Sequence, residues 1–469
     1  MSQFTRSHEV AFARPGVRLA GMSKPILFPA IAAAALVPFN PAAATPSQGA
    51  GVAWEITEGL TTEVGQRLAG SEREAAARVW AAARLKKLGF AAVREEPFTI
   101  RGYVRGDDRA MLTAPYPQAL AISALGYSAA TPAGGITADV VYFATLDALK
   151  AAPEGSLKGK IAFVDHAMRA NQDGSGYGPY GAVRRQGPTL AAARGAVGVV
   201  IRSAGTDSNR NPHTGVTTFP EGGTAIPAGA VSNPDADLIA RIAARGLPMR
   251  LSLTLTGHTQ DGMPSGNVLA DLPGRDPSLP MIVLGCHLDS WDLGTGAIDD
   301  AAGCGIITAA ALKAQGGGKT LRTIRVLWAG SEELGGFGGA AYARAHASEP
   351  HALAMESDFG ADRVWRVQFN FAAANKPLAD RIAAALNPMG VVRGGGKADG
   401  GTDVEPIIAA QKLAVIELSQ DGTRYFDLHH TPDDTLDKID PAQLQQNVDA
   451  WAAVLAVVAN EPGAMAGAE

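Results

Sequence analysis

The sequence predicts an α/β fold, with a mostly parallel central sheet flanked by helices and a β-rich domain inserted into it. Two observations carry that expectation. Beyond residue 267, short apolar runs alternate with helical stretches, the pattern of strands that need crossover helices to lie parallel. Between residues 110 and 257 the texture changes to short β-like runs separated by long Gly-, Asn- and Pro-rich stretches, as in a compact insert with exposed loops.

Taken in order, the chain opens on an export signal. Lys24 precedes an apolar stretch over residues 26–37, and the small residues Ala42, Ala43 and Ala44 suit cleavage before Thr45. Residues 1–44 are therefore expected to be a signal peptide, with Met22 as an alternative start. The stretch is short for a span of about 20 apolar residues and carries prolines, which favours cleavage over a retained anchor, so no stable membrane insertion is expected after cleavage. Ser71 and Glu74 then have capping-box spacing, and Val79, Ala83 and Leu85 continue a helix to Gly89. In the insert, residues 161–165 (IAFVD) and 197–201 (VGVVI) read as strands. Later come a buried strand at 281–285 (MIVLG), a helix over 300–314, a strand at 323–330 (TIRVLWAG) and a helix over 337–346. Strands at 353–357 and 413–418 follow, and a helix from 441 to about 458 closes the chain.

Composition narrows the function classes. The 469 residues are 46% hydrophobic, enough for substantial cores in two folded units. A formal charge of −5, without runs of like charge, argues against nucleic acid as a partner, because binding phosphates needs a basic surface. The two cysteines, Cys286 and Cys304, are too few for a disulfide framework; whether they meet is left open.

The chemistry gathers at strand ends, where open α/β sheets place their sites. After MIVLG, the run CHLDSWDLGTGAIDDAAG puts His287, Asp289, Asp292, Asp299 and Asp300 into one loop. Carboxylates and an imidazole crowded at a buried strand end need compensation, and a divalent cation supplies it. A carboxylate has two oxygens and can bridge two metals, and Asp289, two residues past His287, can turn back to accept the other imidazole N–H. The strand TIRVLWAG leads into Glu332 and Glu333, whose adjacent side chains can point apart, one to a metal and one to water. MESDFG adds Asp358, and LHHTPDDT adds His430. Each segment alone is a weak signal. Together they offer two histidines and three carboxylates, sufficient for two metals with coordination left for water. GTGAID lacks the lysine of a phosphate loop, so it reads as the connection to Asp299.

Read in order, GCHLDSWDLGTGAIDDAAG, SEELGGFG, ESDFG and HHTPDDT resemble the co-catalytic di-zinc aminopeptidase family, and within it the branch of plasma glutamate carboxypeptidases. The resemblance implies a zinc exopeptidase-like catalytic domain in two parts, residues 45–109 and 258–469, around a protease-associated domain at 110–257. It implies His287 and Asp358 on one zinc ion, Glu333 and His430 on the other, and Asp299 bridging both. Glu332 is then the general base, and Asp289 the residue that orients His287. It also implies a cis peptide between Asp299 and Asp300, and a homodimer. In this family the inserted domain roofs the active-site cleft. The loop 211–215 (NPHTG) and the run 174–181 (GSGYGPYG) are thus within reach of substrate, but polar surface loops read the same, and neither joins the expected site.

The implied activity is hydrolysis of unblocked dipeptides or short peptides, in an exported periplasmic or secreted enzyme. A broad aminopeptidase trimming longer peptides is the alternative. A receptor-like protein that kept the fold and lost catalysis is a more remote one, since such proteins lack ligands and this chain has the full set. GGTDVEP, residues 400–406, is expected near the specificity pocket.

Overall fold

The computed structural model describes residues 51–468; the expected signal peptide lies outside the described residues. The larger-scale framework is an eight-stranded sheet. Its strands in chain order are β1 (Ala91–Val104), β2 (His258–Leu272), β3 (Met281–His287), β4 (Ile324–Ala329), β5 (His351–Glu356), β6 (Val364–Asn370), β7 (Val392–Arg393) and β8 (Ala414–Gln420). They lie side by side as β1-β2-β4-β3-β5-β8-β6-β7. The four central strands β4, β3, β5 and β8 run parallel, while β2 against β4 and β6 against β8 run antiparallel at the flanks.

Strand periodicity builds three layers. In β3 and β4, Ile282, Leu284, Ile324, Val326 and Trp328 face one core, shared with helices Val52–Gly59, Glu72–Lys87, Ala302–Gln315 and Pro441–Val458. The alternate residues Val283, Leu327 and Ala329 face a second core under helices Phe337–Ala345 and Glu405–Gln411. Successive side chains of a strand point to opposite faces, so a strand covered on both sides reads as a continuous apolar run. That is why MIVLG and IRVLWA were legible. Strand β6, with polar Arg366, Gln368 and Asn370 beside β8, lacks such a run and escaped notice.

Two details refine the expected elements. The Ser71 side chain caps the helix Glu72–Lys87 by accepting from Glu74 N–H at 3.1 Å, but the Glu74 carboxylate does not return to Ser71. It is fully buried and meets Gly70 N–H, Arg78 and Ser265 instead. The helix expected from residue 300 begins at Ala302, because Asp299 and Asp300 are non-helical and joined by a cis peptide. Cys286 and Cys304 form a disulfide.

The strands β1 and β2 pair antiparallel from Ala91↔Asp271 out to Val104↔His258, and this long ribbon carries the chain into a second sheet and back. The second sheet has eight strands between Asp108 and Leu255, with a parallel centre of Ile136–Phe143, Ile161–Val164, Gly198–Arg202 and Ala228–Val231. It also carries helices Tyr177–Ala193 and Asn233–Ala244. The first was hidden in sequence: Gly178, Gly181, Gly187 and Pro188 lie inside it, and all disfavour helix. The GSGYGPYG run is therefore the approach to a helix and its first turns.

Candidate metal centre and active site

Four adjacent parallel strands deliver the expected residues to one edge. His287 is the last residue of β3; Glu332 and Glu333 follow β4, Asp358 follows β5, and His430 follows β8 after the short helix Tyr425–Leu428. The first three loops are short, so a strand end fixes where their side chains go.

Two triads result, with Asp299 common to both. His287 Nε2 lies 3.0 Å from Asp299 Oδ1 and 3.3 Å from Asp358 Oδ1. His430 Nε2 lies 3.2 Å from Asp299 Oδ2 and 2.9 Å from Glu333 Oε2. The neighbouring His429 stacks on His430 with ring centroids 3.5 Å apart, and its Nε2 stands 3.5 Å from Asp299 Oδ2. His430, not His429, is thus the imidazole that meets both carboxylates of the second triad.

Both histidines use their other nitrogen on a main-chain carbonyl, which can only accept. His287 Nδ1 meets Asp289 O at 2.9 Å, and His430 Nδ1 meets Thr214 O at 3.4 Å. In neutral His287, Nδ1 therefore carries the proton and the Nε2 lone pair faces carboxylate oxygens, whereas His430 Nδ1 is shared between the Thr214 carbonyl and the donor Arg184 Nη1, each at 3.4 Å. Facing acceptors at such distances repel unless a cation stands between them. Asp299 Oδ2 and Asp358 Oδ1 are moreover buried without a hydrogen-bond partner. A cation-binding cluster explains both observations, and imidazole with carboxylate suits zinc.

The surroundings push the titrations apart. Burial drives the Glu332 carboxyl up to about 7, with Asp358, Asp299 and Asp289 adding to the shift and His287 opposing it. Burial likewise lifts Asp358 to about 6 and Glu333 well above the usual carboxylate range. For Asp299, burial works upward, but His429, His287 and His430 together hold it well below its ordinary value. Burial works to lower His287, but Asp358 and the other acids beside it raise it well above the ordinary imidazole range; burial lowers His430.

Asp289 acts differently from expectation. Its carboxylate stands 3.7 Å from His287 Nδ1, too far for a hydrogen bond, and accepts instead from Glu332 N–H at 3.0 Å and Glu333 N–H at 3.3 Å. It ties the loop after β3 to the loop after β4, while its main-chain carbonyl orients the imidazole. The chain turns back at Asp289 so tightly that the backbone reaches His287 before the side chain can.

Residues beyond the expected ligands and base also hold the centre. Asp434 Oδ1 accepts from Ala297 N–H and Ile298 N–H, both at 2.7 Å, and so fixes the approach to Asp299. Burial pushes its carboxyl up to about 7. Asp300 accepts from His287 N–H at 3.1 Å and Gly303 N–H at 3.0 Å. Arg67, fully buried, donates to the carbonyls of Leu288, Thr295 and Gly296 and braces the whole loop. Asp434 stands in the quoted HHTPDDT run; nothing in the sequence around Arg67 marks it.

The insert also reaches the centre through the NPHTG loop. Thr214 N–H donates to His430 O at 3.0 Å while Thr214 O faces His430 Nδ1, a reciprocal clasp. It holds His430 at a φ of 59°, a left-handed conformation uncommon for a non-glycine residue. His213 Nε2 lies 3.0 Å from His429 Nδ1, and Tyr177 stacks on Phe426 with its edge to His429. A cavity of about 440 Å3 lies between the insert and the strand ends, bounded by Tyr177, Arg184 and Arg185 on one side and Asp299, Glu332 and Asp358 on the other. A second pocket adjoins it, sharing Asp358 and Thr402, and is lined by Gly400, Gly401, Arg366, Asp399 and Glu417. The start of the GGTDVEP run thus lies beside the centre.

An α/β sheet that presents paired imidazole–carboxylate triads beneath an inserted domain defines a metallopeptidase. Comparison with known proteins agrees and is more specific. Residues 267–455 match Peptidase family M28, and residues 136–239 match the PA domain. Human carboxypeptidase Q is 32% identical over 86% of this chain and 84% of its own length. A Peptidase M28 precursor from Shewanella amazonensis, known from a crystal structure, is 45% identical over 88% of this chain and 94% of that one, with a TM-score of 0.86. A zinc aminopeptidase from Bacillus subtilis, 22% identical over 87% of this chain and 94% of that one, shares the fold with a TM-score of 0.62. The chain belongs to peptidase family M28 and is a metal-dependent peptide hydrolase.

Proposed function

We propose that the protein is an exopeptidase that hydrolyses unblocked dipeptides or short peptides, with two zinc ions held by His287, Asp299, Asp358, Glu333 and His430. The carrying observation is the pair of triads that share Asp299, one carboxylate oxygen turned to each imidazole. His287 with Asp358 would hold one ion, Glu333 with His430 the other, and Asp299 both. Bound there, the metal supplies Lewis acidity that activates water and polarises the scissile carbonyl.

The chain's own groups do the rest. Glu332 lines the cavity beside the candidate ligands, where a carboxylate can accept a proton and return it. It takes the proton of the attacking water and passes it to the leaving amine. Asp289 holds Glu332 and Glu333 by their main-chain N–H groups, which fixes the loop that carries both carboxylates. The insert closes the cavity on one side, which suits a substrate short on both sides of the scissile bond. The name of the carboxypeptidase Q relatives fits action near a chain end.

The test is metal content together with hydrolysis of free dipeptides, amino-blocked dipeptides and longer peptides, for the wild type and Glu332→Ala. The reading expects about two zinc ions per chain, cleavage of the unblocked dipeptides, and loss of activity in the variant with metal retained. Trimming of long peptides from the amino end would replace it with a broad aminopeptidase. We also propose export, on the strength of residues 1–44; amino-terminal sequencing of the protein recovered outside the cytoplasm should begin at Thr45.

A further inference from the structure

We propose that Arg185 receives the free C-terminal carboxylate of a dipeptide substrate, and that this contact limits the substrate to two residues. The proposal rests on the exopeptidase reading above and adds the determinant of substrate length.

Arg184 and Arg185 are consecutive in the helix Tyr177–Ala193 and both line the cavity with Glu332 and Asp299. Their situations differ. Arg184 is buried and committed: its Nη1 donates to Thr214 O at 3.2 Å, its guanidinium lies over the Tyr177 ring at 5.6 Å, and it rests on Gly215, where a Cβ would stand 1.8 Å from Nη1. It braces the loop that clasps His430. Arg185 is exposed to the cavity, and among the described residues its guanidinium has no acid within salt-bridge distance and no hydrogen-bond acceptor. It lies against Gly181, where a Cβ would approach its Nη1 to 2.9 Å. A cation without a partner, in a cavity whose other ionisable lining residues are carboxylates, imidazoles, two tyrosines and the committed Arg184, is placed for an anionic part of the substrate.

The adjoining pocket beyond Asp358 carries Glu356, Asp399 and Glu417, and its one arginine, Arg366, donates to Ser419 Oγ at 3.2 Å and stacks on Trp365. An unblocked dipeptide has a positive amino end and a negative carboxyl end, matching this polarity. An extended chain advances roughly 3.3–3.6 Å per residue, so the carboxylate one residue past the scissile bond stays within the cavity. A third residue would put a neutral amide where the dipeptide has its charge. Guanidinium and carboxylate pair through two parallel N–H···O bonds, which makes the contact selective for a free terminus.

The test compares kcat/KM for a dipeptide, its C-terminal amide and the corresponding tripeptide, at fixed ionic strength, in the full-length metal-loaded wild type, Arg185→Gln, Arg185→Lys and Arg366→Gln. The wild type should favour the free acid over the amide by about tenfold or more, the scale of a hydrogen-bonded charge partner. In Arg185→Gln that ratio should fall toward one, mainly through KM, with Arg185→Lys between. An unchanged ratio in Arg185→Gln, or a collapse confined to Arg366→Gln, would overturn the proposal. Equal cleavage of acid and amide by the wild type would also overturn it while leaving the exopeptidase reading intact. No cleavage of any peptide would remove that reading as well.

Discussion

The two histidines of the candidate centre are held in opposite ways. His287 ends a buried strand, and its second nitrogen is satisfied two residues away by the Asp289 carbonyl. His430 sits in a loop, and its second nitrogen faces the carbonyl of Thr214, 216 positions away in the inserted domain. The setting of His287 is therefore a property of one strand and the loop that leaves it. The setting of His430 is completed only when the insert docks. The difference teaches that the insert is part of the metal centre as well as its cover.

The largest expected effect sharpens what both halves share. Asp299→Asn removes the carboxylate common to both triads, so metal content should fall for both ions and peptidase activity should drop below detection; metal analysis after gel filtration checks it. Glu332→Gln should lower kcat by about 10²- to 10⁴-fold, the range for a general acid–base group, while metal content stays at the wild-type level. Loss of metal in that variant would show that Glu332 is a ligand rather than the base.

A change in the insert should separate the halves. Gly215 has a φ of 132° and packs against the Arg184 guanidinium, so Gly215→Ala forces Arg184 and the Thr214 clasp to shift. Loss of the partner that orients a ligand histidine typically costs 10- to 100-fold in metal affinity. Chelator competition should therefore find one ion weakened to about that degree and the other unchanged. Equal weakening of both would break the comparison between His287 and His430.

Protonation gives a smaller effect of defined sign. Asp434 has its carboxyl raised to about 7 by burial, with Asp299 adding to the shift. Between the ordinary carboxylate range near 4 and that value, the folded chain holds a proton that the unfolded chain has released. The associated stability is complete below the lower value and is lost as pH rises through about 7. In metal-free protein, Asp434→Asn should therefore gain on the wild type as pH rises from about 4 to 7, read as the difference between their melting temperatures. A constant difference across that range would rule this out. The smallest effect concerns the framework alone: Ser71→Ala should cost about 1 kcal/mol of stability by uncapping the helix Glu72–Lys87, with kcat unchanged.

Legibility follows the same division. The strands β3, β4, β5 and β8 announce themselves as apolar runs because they are covered on both faces, and His287, Glu332, Glu333 and Asp358 lie at or within a few residues of a strand end. Strand-end position gathered the candidate residues, and the family resemblance sorted them into the sets that the structure brings together at 2.9–3.3 Å. Arg67 and Arg184 stayed hidden for a physical reason: each acts through carbonyls of a remote loop and neither has a local pattern, while the NPHTG loop drew notice without showing that Thr214 would meet His430. The Tyr177–Ala193 helix was hidden because its glycines and proline contradict helix propensity, and packing of Tyr180, Val183 and Ala191 into the insert's core overrides that preference.

By itself, then, the sequence determined the layered α/β sheet and the residue types gathered at its carboxyl edge, since strand burial and short loops are local consequences of residue order. Tertiary structure alone decided which atoms face the metal side, that the backbone of Asp289 rather than its carboxylate orients His287, and that the insert supplies the partner of His430. Those choices depend on distances between segments far apart in the chain, and only close packing of the folded molecule sets them.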